Sequence, residues 1–249
     1  MTSNSPKHDY KLLQSRGQTI IFLNGFRMNF STWAKVYPEL VEQNNVLLYN
    51  RLGVGTSNKA IEDQSGEVVV DNLHRLLKQL ELKPPYLLVA HSLGGIFANQ
   101  FARTYPSEIS GIVFVESAHP SEIIEQKKFK PNFLVRMIND AMKFIEKRSD
   151  PYKYSEADCI EQTDEQLKQL NDFPEIPVSI VTGTKKMPLV PEESFNLHLS
   201  YQTELLDLSE NSKQFLCAES GHFPQITEAE KVVEAIQDTL SRIKLIKSQ

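Results

Sequence analysis

The stretch Val89-Ala90-His91-Ser92-Leu93-Gly94-Gly95 constrains this chain more than any other. An apolar run, Tyr86 to Ala90, leads into it behind Pro84 and Pro85, and a helical pattern, Ile96-Phe97-Ala98-Asn99-Gln100-Phe101-Ala102, leaves it. A strand, a sharp turn holding one serine, and a helix is the layout of a nucleophile elbow. The turn lifts the serine hydroxyl off the sheet edge, and small neighbours are needed because the backbone doubles back. Gly94 meets that need after Ser92 and Ala90 meets it before. The helix that starts under the serine aims its positive end at developing negative charge.

The flanking sequence alternates between buried strands and helices. Thr19 to Leu23, Asn45 to Tyr49, Ile109 to Val115, Pro177 to Val181 and Lys213 to Cys217 read as strands, with a further short strand over Asp9–Leu13. Continuous apolar runs of this length suit strands covered on both faces. Helices are expected after Ser31, over Gly66–Leu82, over Pro191–Leu208 and over Glu228–Ile246. The alternation implies an α/β fold: a mostly parallel sheet of about six to eight strands with helices on both faces. From Ser117 to Glu175 the pattern breaks into charged, proline-punctuated helices. The core is therefore expected from residues 1–116 and 176–249, with 117–175 as a small helical lid. Residues 1–8 read as a tail.

Composition narrows the partners. The net charge of -5 gives no basic excess to neutralise phosphates, so nucleic acid is not expected. No apolar run reaches the roughly 18 residues of a membrane span. The polar N-terminus has no secretion core, which makes a cytoplasmic protein the default expectation. Cys159 and Cys217 are too few for a disulfide framework and lack metal-ligand spacing, so neither a disulfide scaffold nor a cysteine metal site is expected. Oligomeric state leaves no mark in the sequence.

A serine becomes a nucleophile when a base takes its proton and a carboxylate holds that base. Ligands in such sheets bind at the carboxyl ends of the strands, and the suggestive residues fall there: Asn24-Gly25-Phe26, Ser92, Glu116 and, a loop later, His222. His222, in Glu219-Ser220-Gly221-His222-Phe223-Pro224, is the candidate base; His74 and His198 fall within helices, and His91 shapes the elbow. The loop after the fifth long run, Thr182 to Pro188, carries no carboxylate, so Glu116 is the candidate acid; the open alternatives are that Glu116 makes a structural ion pair and the acid is a lid residue or absent, while Asp207 lies late in a helix. Backbone N–H groups of Phe26 and Leu93 are the candidate oxyanion donors. Asn24, His119, Phe129, Phe133 and Met137 are candidate pocket residues, although the apolar lid residues equally suit packing of the lid against the body. Lys185 and Lys186 read as a solvated pair before they read as a site for an acidic substrate.

Taken together, these motifs resemble the α/β-hydrolase superfamily over about residues 17–246. The segments carrying the resemblance are Asn24-Gly25 with Trp33, Arg51-Leu52-Gly53-Val54-Gly55-Thr56-Ser57, Ala90-His91-Ser92-Leu93-Gly94-Gly95, Glu116-Ser117-Ala118-His119-Pro120 and Ser220-Gly221-His222-Phe223. The chain looks similar to small-lidded members that take their acid from the strand after the elbow helix, with glutamate where aspartate is commoner. It departs from the pattern at Asn24, where His-Gly is usual, and at Ala90, where glycine is. The resemblance implies a cofactor-independent serine hydrolase acting on a small ester-like substrate. Amide, thioester or carbon–carbon bond hydrolysis, acyl transfer, and a non-catalytic ligand-binding role remain the alternatives.

Overall fold

The computed structural model describes residues 6–129, 143, 146–188 and 190–248. Its strands are β1 (Tyr10–Leu13), β2 (Thr19–Leu23), β3 (Asn45–Tyr49), β4 (Tyr86–His91), β5 (Ile109–Val115), β6 (Val178–Gly183) and β7 (Ser212–Cys217). Its helices include α1 (Gly66–Gln79), α2 (Leu93–Thr104), α3 (Pro120–Gln126), α4 (Ser155–Asp158), α5 (Ile160–Gln169), α6 (Glu192–Glu204), α7 (Pro224–Thr227) and α8 (Ala229–Lys247). The seven strands form one sheet in the order β1-β3-β2-β4-β5-β6-β7. β1 runs antiparallel to β3, and every other pair is parallel.

Period-two alternation sends each strand's side chains to opposite layers. Ile21 and Leu23 of β2 pack with Leu88, Phe114 and Ile180 under α1 and α2, where Leu73, Leu77, Phe97 and Phe101 close the layer. Ile20 and Phe22 face the other way, with Val89, Val113 and Val181, against Trp33 and the α8 residues Val232, Ile236 and Ile243. These strands are mostly apolar because both faces are covered. The edge strand β1 is partly exposed, and its antiparallel pairing with β3 ends the sheet on that side.

The strand order reverses at β2: β3 lies on one side of it and β4 on the other. Loops leaving β2 and β4 therefore diverge, and a crevice opens between their carboxyl ends. That places Asn24-Gly25-Phe26 beside Ser92. Register completes the arrangement, since His91 pairs with Val115 and Val115 with Val181, so Ser92, Glu116 and the end of β6 share one edge.

Three expectations are corrected. The helix after Ser31 is instead two 3-10 turns, Phe30–Trp33 and Tyr37–Glu39, and Asn29 rather than Ser31 caps the first. Pro38 has no N–H to bond back to the preceding turn, so a continuous helix cannot run through it. Trp33, Val36 and Leu40 are buried all the same. The helix over 66–82 stops at Gln79, because Glu81 turns left-handed and the Leu82 N–H returns to the Leu77 carbonyl at 3.1 Å. The tail ends before His8, which is buried and bonded to the Asn50 carbonyl at 3.0 Å. No helix among the described residues is long and apolar enough to cross a membrane.

Candidate active site

Ser92 sits between β4 and α2 with φ 51° and ψ -125°, a left-handed conformation that costs about 1–3 kcal/mol for a side chain with a Cβ. Its surroundings hold it there. Its N–H donates to the Val115 carbonyl at 3.2 Å, and its carbonyl accepts from Gly95 at 2.9 Å and Ala118 at 3.0 Å. A Cβ on Gly94 would lie 2.6 Å from the Asn24 carbonyl oxygen and 2.7 Å from that of Leu23, so α2 can approach β2 this closely only with glycine there.

His222 reaches Ser92 from the loop between β7 and α7, with Nε2 3.0 Å from the serine Oγ. Its other nitrogen, Nδ1, is 3.4 Å from Glu116 Oε2. The three side chains are 130 and 106 residues apart along the chain, and the sheet edge brings them into line. His91 supports the loop: its Nε2 bonds to the His222 carbonyl at 2.8 Å, and the two rings lie 4.9 Å apart. Burial, with repulsion from His222, drops the His91 pKa to about 3, so the ring is a neutral N–H donor.

Glu116 is 3% exposed and also left-handed, at φ 46°. Its Oε1 accepts the Gly183 N–H at 2.6 Å. The loop after β6, which lacks a carboxylate, thus contributes a backbone donor to one. A Cβ on Gly183 would lie 2.1 Å from the Gly221 carbonyl oxygen, so glycine here also lets the His222 loop close in. Oε2 of Glu116 is shared between His222 and His198, whose Nε2 is 3.1 Å away. Of the two contacts, that to His198 is the shorter. Burial raises the Glu116 pKa, but hydrogen bonds from His198 and His222, the His198 charge and the Gly183 N–H outweigh it and hold the pKa at about 2.

Phe26 and Leu93 line the same cavity as Ser92. Leu93 is the first residue of α2, so its N–H has no carbonyl a turn earlier to bond. The Phe26 peptide is gripped from behind: Arg51 donates to the carbonyls of Asn24 at 2.6 Å and Gly25 at 3.0 Å. The same guanidinium forks onto Glu156 of α4 at 2.6 and 2.9 Å, with both partners buried.

A cavity of about 340 Å³ opens over Ser92, walled by Phe26, Leu93, Ala118, Ile123, Ala157 and Ile160, with Glu122, Gln126 and His198 at its far side. A second, of about 270 Å³, lies on the other side of His198 and His222 and includes Lys185, Met187 and Phe195. Four of the apolar walls come from the segment between β5 and β6.

The pocket candidates fare differently. Asn24 does not line either cavity: it is buried, donates to the Tyr49 carbonyl at 2.9 Å and accepts the Trp33 indole N–H at 2.9 Å. It tethers β2, β3 and the first 3-10 turn, because a buried amide must be satisfied. His119 is turned away too. Its Nδ1 caps α3 by accepting from Ser121 at 3.2 Å, and its ring stacks on Tyr201 at 4.9 Å. Phe129 is half-buried beside Lys128 and lines neither cavity. Phe133 and Met137 lie outside the described residues. Lys185 and Lys186 pair with Glu219 and Glu192, each at 3.1 Å on the surface. Among the described residues no group of three or more His, Cys, Asp or Glu side chains is arranged to hold a metal ion.

Sequence reasoning missed His198, Glu122, Arg51 and Glu156. His198 carried only its position within a helix, and no local spacing links it to Glu116, 82 residues away. Arg51 opened a turn-rich motif whose glycines drew the interpretation, while its partner Glu156 lies 105 residues on.

Comparison with known proteins agrees with this architecture. The enol-lactonase of Burkholderia xenovorans superposes with a TM-score of 0.70 at 16% identity, over 96% of this chain and 98% of its own. A thermophilic esterase of Thermogutta terrifontis superposes with a TM-score of 0.64 at 18% identity, over 98% and 96%. Human monoacylglycerol lipase ABHD6 is 30% identical over 99 residues, 39% of this chain and 29% of the relative. The chain spans less than half the length of the curated relatives it matches. The model of the alpha/beta hydrolase fold family matches residues 18–187, and the chain belongs to that family.

Proposed function

We propose that this protein is a serine hydrolase that cleaves small carboxylic esters through an acyl-enzyme. The observation that carries the reading is one histidine between a serine and a carboxylate: His222 Nε2 is 3.0 Å from Ser92 Oγ, and its Nδ1 faces Glu116. With Glu116 ionised, Nδ1 keeps its proton and Nε2 is the free base.

In this reading Ser92 Oγ attacks the ester carbonyl as its proton passes to His222 Nε2. The oxyanion is met by the N–H groups of Phe26 and Leu93. The imidazolium returns its proton to the leaving alkoxide, and Ser92 is left acylated. Water, deprotonated by His222, then attacks the acyl carbonyl, and Ser92 departs with the proton. Only side-chain and backbone groups act, so the chemistry calls for no cofactor.

The cavity over Ser92 supports an apolar or aromatic acyl group of modest size, since Ala118, Ile123, Ala157 and Ile160 meet it. These residues belong to the 117–175 segment, which supports its role as a lid on the core formed by 1–116 and 176–249. Cys159 and Cys217 are both free and buried, which suits the cytoplasm as the site of action.

A fluorophosphonate probe tests the reading. The parent protein is expected to be labelled and to hydrolyse short p-nitrophenyl esters, and Ser92→Ala to do neither. A folded parent that takes no label and turns over no ester would leave a ligand-binding protein on a hydrolase scaffold.

A further inference from the structure

Glu116 has a second partner that the proposed reaction does not use. His198, on α6, places Nε2 3.1 Å from the same Oε2 that faces His222, and Nδ1 2.7 Å from Oε1 of Glu122 on α3. The His198 side chain is 15% exposed, Glu116 3% and Glu122 9%, so water does little to soften the encounter. An ionised carboxylate only accepts hydrogen bonds. A ring lying between two of them satisfies both only by donating from both nitrogens, which makes it an imidazolium.

We propose that His198 and Glu122 form a positioning pair that fixes a positive charge against the far side of Glu116 and so sets how much negative charge His222 feels. The proposal rests on reading Ser92, His222 and Glu116 as the reacting groups. Glu116, His198 and Glu122 together carry one negative charge, and the charge falls to zero when His222 is protonated. Without His198 the same change would run from two negative charges to one, and His222 would hold its proton more tightly. The shared Oε2 lies nearer to His198, at 3.1 Å, than to His222, at 3.4 Å.

The surroundings agree. Burial lowers the His198 pKa, but hydrogen bonds and charge from Glu116 and Glu122 more than reverse this and raise it to about 10. Among the described residues, the other charged or titratable groups that bear on the cluster are His222 at the sheet edge, Lys185 across the smaller cavity, whose ammonium rests on Glu219, and His119 and Tyr201 on the Glu122 side. On α6 itself, the Tyr201 hydroxyl turns away to Glu125 at 2.6 Å.

The test uses the whole protein with 15N-labelled histidine, followed by NMR from pH 6 to 10. One ring is expected to keep both nitrogens protonated past pH 9. That signal should vanish in His198→Gln and should titrate at lower pH in Glu122→Gln. A spectrum in which no ring stays doubly protonated at pH 8 overturns the proposal, and would put the shared proton on Glu122. Kinetics supply the second arm, with active protein counted by fluorophosphonate titration. In His198→Gln the acid limb of kcat/KM should move to higher pH by about one unit. In Glu122→Gln it should stay or move to lower pH, because a negative charge has been lost while His198 remains. A lower plateau with unmoved limbs in both variants would mean that the pair only packs the site. Failure of the parent to label sinks the hydrolase reading instead, and the NMR titration still decides the ion cluster.

Discussion

The Arg51 guanidinium donates to the Gly25 carbonyl at 3.0 Å, and that carbonyl belongs to the same planar peptide as the Phe26 N–H. In a trans peptide the two groups point in opposite directions, so holding one aims the other. Arg51 is thus a positioning residue for the proposed oxyanion donor, and Glu156 ties it to α4. Arg51→Met should lower kcat by on the order of 10² through misalignment of one donor. It should also destabilise the fold by about 3–5 kcal/mol, because Glu156 is left buried and unpaired. Glu156→Gln should cost less of both, since the grip on Asn24 and Gly25 remains. Steady-state kinetics and denaturant melts of the two variants check this; equal kcat losses would mean that Arg51 acts only through Glu156.

Backbone strain at Ser92 gives a stability prediction separate from chemistry. Ser92→Ala keeps the Cβ in a left-handed conformation and should leave stability near that of the parent. Ser92→Gly removes a strain of about 1–3 kcal/mol and adds an unfolded-state entropy cost of about 0.5–1 kcal/mol. It should therefore be the more stable variant by about 1 kcal/mol, and both should be inactive. Urea unfolding of the pair decides the point.

Removing the carboxylate isolates the acid. Glu116→Gln keeps the shape but cannot hold the His222 tautomer, and turnover should fall by on the order of 10³–10⁴. Near-normal ester hydrolysis by this variant would take Glu116 out of the machinery.

The acid stability of the parent follows from the same group. The folded Glu116 pKa, about 2, lies below its unfolded value. Its contribution is therefore complete above the ordinary carboxylate range and is lost as pH falls toward 2. Parent stability should accordingly decline more steeply than that of Glu116→Gln between about pH 5 and 2. Parallel slopes in acid denaturation would contradict the buried-anion description.

Acyl selectivity should respond to the cavity wall. Ala157→Phe fills space beside Ile160 and Ile123, and kcat/KM for an octanoyl ester should drop at least about tenfold relative to acetate. An unchanged ratio on a panel of acyl esters would put the acyl group elsewhere.

Much of this was legible in local sequence. Both-face burial makes these strands mostly apolar, so β2, β3 and β5 could be bounded from the local sequence. The elbow is legible because a strained turn needs small residues at fixed offsets, and Ala90 and Gly94 supply them. Ser92 and His222 follow from the chain order that such a sheet imposes. Glu116 was reached by the absence of a carboxylate in the next loop, and the structure puts it beside His222.

What the sequence could not carry was anything set by distance across the fold. The 3-10 turns near Trp33 replaced an expected helix because a proline acts on hydrogen bonds that apolar spacing does not register. Asn24 looked like a pocket residue because it ends a strand beside the site, yet the tertiary structure uses its amide to satisfy Tyr49 and Trp33. Arg51–Glu156 and Glu116–His198–Glu122 join segments with no local relation, since burying charge demands a partner but does not say where in the chain it must lie. Local pattern therefore determined the strands, the elbow serine and the loop histidine that faces it. Only the packing of α3, α4 and α6 over the sheet edge decided which groups surround Glu116 and which guanidinium holds the Phe26 peptide.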